Sequence, residues 1–312
     1  MGRRCFVAPR LQLMQLLFTA GLILVGVLIM YQGGGHVVAL RSGMHMAEYQ
    51  FPGGGRRLLP DRQIVALYGE PDTPELGALG QQPLDASIIR VKDLAGQYVG
   101  QSNPKVLPAF EIIATVASDT PMADGSYSRP ADSRTLATWV AAARRHGVYV
   151  VLDLQPGRTD FLTQAQQLAP LLAQPNVGLA LDPEWRLTPD QLPLQQIGSV
   201  DVGEINRTAA WFADLTRRNH LPQKLLLLHQ FRPSMIANRA GLDTAYPELA
   251  YVIQMDGQGS QPDKENSWQA VTAEPPEDVQ FGWKNFFEKD MPMRSPQDTM
   301  TLVPRPAYVS YQ

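Results

Sequence analysis

From Asp61 onward the chain alternates short apolar runs with amphipathic ones, and that alternation leaves few folds open. Strand-like runs cover 64–68, 109–117, 148–154, 177–181, 224–228, 250–255, 279–287 and 307–311. Helix-like runs lie between them at 84–98, 131–146, 161–172, 204–218 and 264–271, with a shorter candidate at 234–240. In the first of these Leu84, Ile88, Val91, Ala95 and Tyr98 recur at steps of four and three, which puts them on one helical face. Strands joined through helices pair in parallel, because a parallel connection must cross over the sheet. Eight such units in about 250 residues match a closed (β/α)8 barrel of the TIM type. An open doubly wound sheet is the competing α/β architecture. It places a glycine-rich phosphate turn after its first strand, where this chain has Tyr68, Gly69, Glu70 and Pro71.

Barrels of this kind keep their chemistry at the carboxyl ends of the strands. The fourth run ends there in Asp182, Pro183, Glu184, Trp185 and Arg186. Pro183 cannot donate to a sheet ladder, so pairing stops at about Asp182, and alternation along extended backbone turns Asp182 and Glu184 to one side. Two neighbouring carboxylates raise each other's pKa, which is what a general acid requires. The plainer expectation is that Asp182 caps a turn and Glu184 is solvated, since acids after strands are common turn formers. The other strand ends contribute Tyr68, Asp153, His229, Gln230, Asp256, Tyr311 and Gln312 to the same mouth. Acids, amides and aromatics in one ring suit sugar hydroxyls and pyranose faces better than an apolar ligand. Trp185, Trp268, Trp283, Tyr68 and Tyr311 are candidate stacking surfaces, whereas Trp139 and Trp211 sit in amphipathic helices beside apolar neighbours and read as packing residues.

On these residues the chain resembles (β/α)8 glycoside hydrolases of the chitinase and related lysozyme-like type, in which an Asp-Gly-x-Asp-x-Asp-x-Glu run closes the fourth strand. Gly178, Asp182 and Glu184 match that pattern, and Met255 with Asp256 loosely match an acidic position closing the sixth strand. Val177 and Ala180 stand where the two upstream aspartates are expected. It also looks like uncharacterised exported bacterial proteins carrying such a barrel. The resemblance implies that Glu184 is the general acid, with Asp182 orienting a 2-acetamido nucleophile or with Asp256 or Asp153 as the second carboxylate. Tyr68, Asp153, Trp185, His229, Gln230 and Tyr311 are then substrate-binding candidates. Arg186 must point away from Glu184, because a nearby guanidinium would lower its pKa and spoil it as an acid.

Two other classes are open. A metal-dependent hydrolase could draw on Asp182, Glu184, His229 and Asp256, but the histidines at 36, 45, 146, 220 and 229 form neither His-x-His nor HExxH, so no metal and no cofactor is expected. A phosphate-bearing substrate is disfavoured, since the loop after strand eight that would hold it is not in the sequence. The remaining class is a non-catalytic barrel that binds glycan or cell wall, because a fold does not confer a reaction.

Residues 11–31 carry no charge, and at the helical rise they span about 30 Å, the thickness of the hydrocarbon layer. Arg3, Arg4 and Arg10 precede them, so the short amino terminus (1–10) is expected in the cytoplasm and the rest outside the cytoplasmic membrane, single-pass. A cleaved signal peptide is the rival reading, but its apolar core is usually shorter and no small-x-small site follows Tyr31. The sole cysteine, Cys5, precedes the span, so lipoprotein processing is not expected and the exported part can form no disulfide. Glycine-rich stretches at 32–35 and 52–55 mark 32–60 as a tether before a barrel domain at 61–312. With 18% charged residues and a net charge of −3, no basic field recruits nucleic acid. The expected partners are a glycan and, through the span, the membrane.

Overall fold

The computed structural model describes residues 49–101 and 104–312. The apolar span at 11–31, Cys5 and the first part of the tether lie outside the described residues. Among those described, no helix is long and apolar enough to cross a membrane.

Eight parallel strands close into a barrel: β1 Arg62–Gly69, β2 Lys105–Ala117, β3 Tyr149–Leu154, β4 Val177–Leu181, β5 Lys224–His229, β6 Leu249–Met255, β7 Val279–Asn285 and β8 Tyr308–Tyr311. Each pairs in parallel with the next, and β1 pairs with both β2 and β8, which leaves the ring without a free edge. Among the described strands the exception to parallel pairing is Ser128–Pro130, which pairs antiparallel with the last residues of β2, Thr115–Ala117.

The outer layer follows from the helical periodicity. Helices α1 Leu84–Gly96, α2 Ser133–Arg145, α3 Phe161–Gln167, α4 Ala169–Leu172, α5 Val202–Arg218, α6 Gln261–Thr272 and α7 Pro296–Thr299 follow one another along the chain. Asp132 and Asp201 cap α2 and α5 by accepting from the backbone N–H of Thr135 and Gly203, and Arg144, Arg145, Arg217 and Arg218 close their last turns, where the helix dipole favours cations. The single helix expected at 161–172 is two, separated at Leu168, because Pro170 has no N–H to continue the ladder. The helix expected at 234–240 does not form. A 3-10 turn at Pro233–Met235 leads into Ile236–Ala237, which pairs with Val200–Asp201, and Asn238 then takes a left-handed conformation. The β7–β8 crossover holds only the single turn of α7.

Inside the barrel, side chains two apart point into the lumen in successive layers. Ile64, Ala66, Leu107, Ala109, Tyr149, Val151, Leu225, Leu227 and Val252 make an apolar floor toward the amino ends of the strands. Phe51, Leu58 and Leu59 close that end from below, with Phe51 edge-on to Tyr149 at 6.0 Å between ring centroids. Gln223 Oε1 accepts from the backbone N–H of Leu58 (2.8 Å) and Leu59 (3.2 Å), so the last part of the segment read as a tether is packed into the barrel and the folded unit starts before residue 61.

Gly178, which matched the glycosidase pattern, has a packing reason of its own. A Cβ there would lie 2.9 Å from the Tyr149 hydroxyl and 2.9 Å from the Leu225 carbonyl oxygen. Gly178→Ala should therefore overpack the floor and cost about 1–3 kcal/mol, read as a lower urea midpoint with an unchanged slope.

Candidate active site

Continuing along the strands, the inward positions turn polar: Ile64 and Ala66 are followed by Tyr68, Tyr149 and Val151 by Asp153, Leu225 and Leu227 by His229. The polar layer is centred on His229, which is fully buried. Its Nδ1 lies 2.7 Å from Asp256 Oδ2 and its Nε2 2.8 Å from Glu111 Oε1, with Asp153 Oδ1 at 3.8 Å. The Nε2–Glu111 contact is not aligned as a hydrogen bond, so it acts chiefly as charge against charge. Burial alone would push the imidazole pKa down, but Asp153, Asp256 and Glu111 outweigh it and hold the ring as imidazolium, well above its ordinary value.

A second shell holds these carboxylates. Tyr308 donates to Glu111 Oε2 (2.9 Å), Tyr68 donates to Asp153 Oδ2 (3.0 Å), and Gln155 Nε2 donates to the Tyr68 hydroxyl (3.3 Å). Burial pushes Asp153 up to about 6; the His229 charge opposes the rise and Glu111 adds to it.

Asp182 caps the turn Pro183–Trp185 by accepting from the Glu184 N–H at 3.1 Å, so the turn-forming expectation is met. It is at the same time buried beside the His229 cluster, and burial, with Asp153, Asp256 and Glu184 adding, lifts its carboxyl well above the usual range against the pull of His229. Glu184 is half-buried, not solvated. Burial and then Asp256 push its carboxyl up to about 7, opposed by Lys284, His229 and Arg232. Arg186 points elsewhere, as the acid role requires. Its Nε lies 3.0 Å from Glu204 Oε1, Nη2 donates to Oε2 at 3.1 Å, and Nη1 donates to the Leu187 carbonyl at 2.7 Å.

Above this layer opens a cleft of about 710 Å³, walled by Trp185, Phe231 and Phe286 and floored by Asp182, Glu184 and Asp256. Of the residues expected there, Tyr68, Asp153, Asp182, Glu184, Trp185, His229 and Asp256 come together, and Gln312 lines the rim. Gln230 does not join them. Its amide donates to the carbonyls of Arg232 and Pro233 and accepts from Arg239, which spends the side chain on the loop after β5. Tyr311 faces outward, its hydroxyl 2.5 Å from that of Tyr98 and its ring beside Phe287, because odd and even positions of β8 face opposite sides. Trp268 and Trp283 pack on each other at 5.7 Å in the outer core and offer no face to a sugar.

Several site residues escaped sequence reasoning, among them Phe231, Arg232 and Phe286 on the cleft wall and Glu111, Lys284 and Tyr308. Glu111 lies in the apolar run Phe110, Glu111, Ile112, Ile113, where an isolated acid was itself the signal. Lys284 and Gly282 both occupy inward positions of β7. Tyr308 carried no signal. Asp182, His229 and Asp256 each present one ligand atom within 4.8 Å of the others, a set that could hold a cation. Both ring nitrogens of His229 already face carboxylates, so ligation would require the imidazolium to lose a proton and turn.

No protein-family model matches the chain, and no curated protein matches it either.

Proposed function

We propose that this chain is a glycoside hydrolase-like enzyme acting on cell-envelope or extracellular glycan, with Glu184 as general acid. The observation that carries the reading is the state of Glu184. Its carboxyl keeps a proton to about pH 7, takes no hydrogen bond from the described residues, and faces an aromatic-walled cleft. An acid so placed can protonate a glycosidic oxygen while the ring faces stack on Trp185, Phe231 or Phe286. Positive charge developing on the sugar ring would meet Asp256, whose Oδ2 is held by His229 and whose Oδ1 is buried without a partner. Asp182 would orient a 2-acetamido group if the substrate has one; otherwise Asp256 or Asp153 supplies the second carboxylate. The span at 11–31, with Arg3, Arg4 and Arg10 before it, would hold the barrel outside the cytoplasmic membrane as a single-pass protein.

The test is release of new reducing ends from a panel of envelope and extracellular polysaccharides, followed across pH. Because Glu184 must be protonated, kcat/KM should fall about tenfold per pH unit above about 7. A chain that retains a glycan yet never cleaves it overturns the acid role and leaves a binding barrel in its place.

A further inference from the structure

Three lysines are buried in the described part of the chain, and two of them are satisfied by the protein. Lys224 donates to the carbonyl oxygens of Leu172 (3.0 Å), Val177 (2.8 Å) and Gln174. Lys264 donates to the Lys284 carbonyl at 2.7 Å and pairs with the Asp290 carboxylate. Lys284 differs. It is 3% exposed, it lines the cleft, and among the described residues its ammonium has neither a hydrogen-bond acceptor nor a carboxylate within 4.0 Å. Nζ lies 3.4 Å from the centroid of the Tyr68 ring and 5.3 Å from that of Phe286, and its charge also acts on Asp153 and Glu184 beyond ion-pair distance. An ammonium carries three donors, and cation–π contact satisfies none of them as a hydrogen bond. Arg232 stands on the wall of the same cleft, over the Phe231 ring at 5.6 Å and likewise without a carboxylate partner among the described residues.

The geometry points to an anionic substrate: we infer that Lys284 seats a carboxylate or sulfate carried by the saccharide, with Arg232 as its outer partner. This rests on the glycan reading of the cleft. Neutral sugars offer hydroxyls that could meet Lys284 singly, but an anionic oxygen pair meets an ammonium with hydrogen bonds about twice as strong. The aromatic flanks also fit, since Tyr68 and Phe286 keep water from screening the contact.

Binding should be measured on the full chain carrying Glu184→Gln, to suppress turnover, with oligosaccharides of equal length that are neutral, amino-bearing, carboxylated or sulfated. One of the two anionic classes should bind at least about tenfold tighter than the neutral one. Adding Lys284→Met should abolish that preference and Lys284→Arg should keep most of it; which anionic class wins identifies the substituent. If both variants fail to fold, the salt dependence decides: affinity for the anionic ligand should fall between low and high NaCl while that for the neutral ligand holds. Equal or better binding of neutral or amino-bearing ligands, or a preference that survives Lys284→Met, overturns the assignment and leaves the glycan reading intact. Binding of none of the four classes overturns the glycan reading itself and this assignment with it.

Discussion

Glu184→Gln should lower turnover of an unactivated glycan by about 10² to 10⁴ while leaving affinity nearly unchanged. Glutamine keeps the shape and hydrogen-bonding capacity of the side chain but has no proton to give the leaving oxygen. The loss should be much smaller on an aryl glycoside whose leaving group departs without protonation, and comparison of kcat on the two substrates isolates the acid step. The fall above about pH 7 should also vanish from the residual activity, since the titrating group is gone. Asp182→Asn should behave differently if Asp182 positions an acetamido nucleophile: both substrates then suffer, because the nucleophile is needed whichever group leaves. Equal hydrolysis of a poor-leaving-group substrate by the parent and Glu184→Gln would rule out the acid role.

His229→Leu should be the most damaging single change to the fold. It removes the cation to which Glu111, Asp153 and Asp256 are directed, and an uncompensated buried carboxylate typically costs about 3–5 kcal/mol. The pH dependence gives the mechanism away. In the parent, His229 has a folded pKa above its unfolded value, so its contribution is complete below about 6.5 and is lost as pH rises through the folded value. Asp153, raised to about 6 in the fold, also binds more protons folded than unfolded between about 4 and 6, so stability falls with rising pH across that window too. Both slopes have one sign, and the parent should be more stable at pH 5 than at pH 8. In His229→Leu the His229 part of this slope is gone, whereas Asp153 loses the charge that opposes its rise and neutralises more readily as pH falls. Urea midpoints at pH 5 and pH 8 test both statements; a deficit under 1 kcal/mol at pH 8 would show that the carboxylates do not depend on this imidazolium.

Much of the site could be read from the strand ends because two periodicities coincide there. A barrel strand exposes alternate residues to the lumen, and its carboxyl end carries the chemistry, so Asp153, Asp182, His229 and Asp256 were found by their positions alone. The same rule misplaced Gln230 and Tyr311. Each is next to an inward position, His229 and Ser310, and a shift of one residue reverses the face. Lys284 was missed for the opposite reason. Its charge sits within the run at 279–287 and not at its end, where Asp182 and Asp256 close theirs.

What the sequence determined by itself is the architecture and the gathering of acids: alternating runs require crossover connections, eight of them close, and the acids meet at one mouth. Tertiary structure alone decided what those acids are. Glu111, Asp153 and Asp256 come from β2, β3 and the end of β6 to meet one imidazole, and no local pattern records that distance. It also decided that Arg186 is spent on Glu204 of α5, which leaves Glu184 its proton, and that Phe51, Leu58 and Leu59 close the floor beneath it. The physical reason is range. Propensity and periodicity act over a few residues, whereas the charge state of a buried group depends on every ionisable neighbour and on the water excluded by residues remote in the chain.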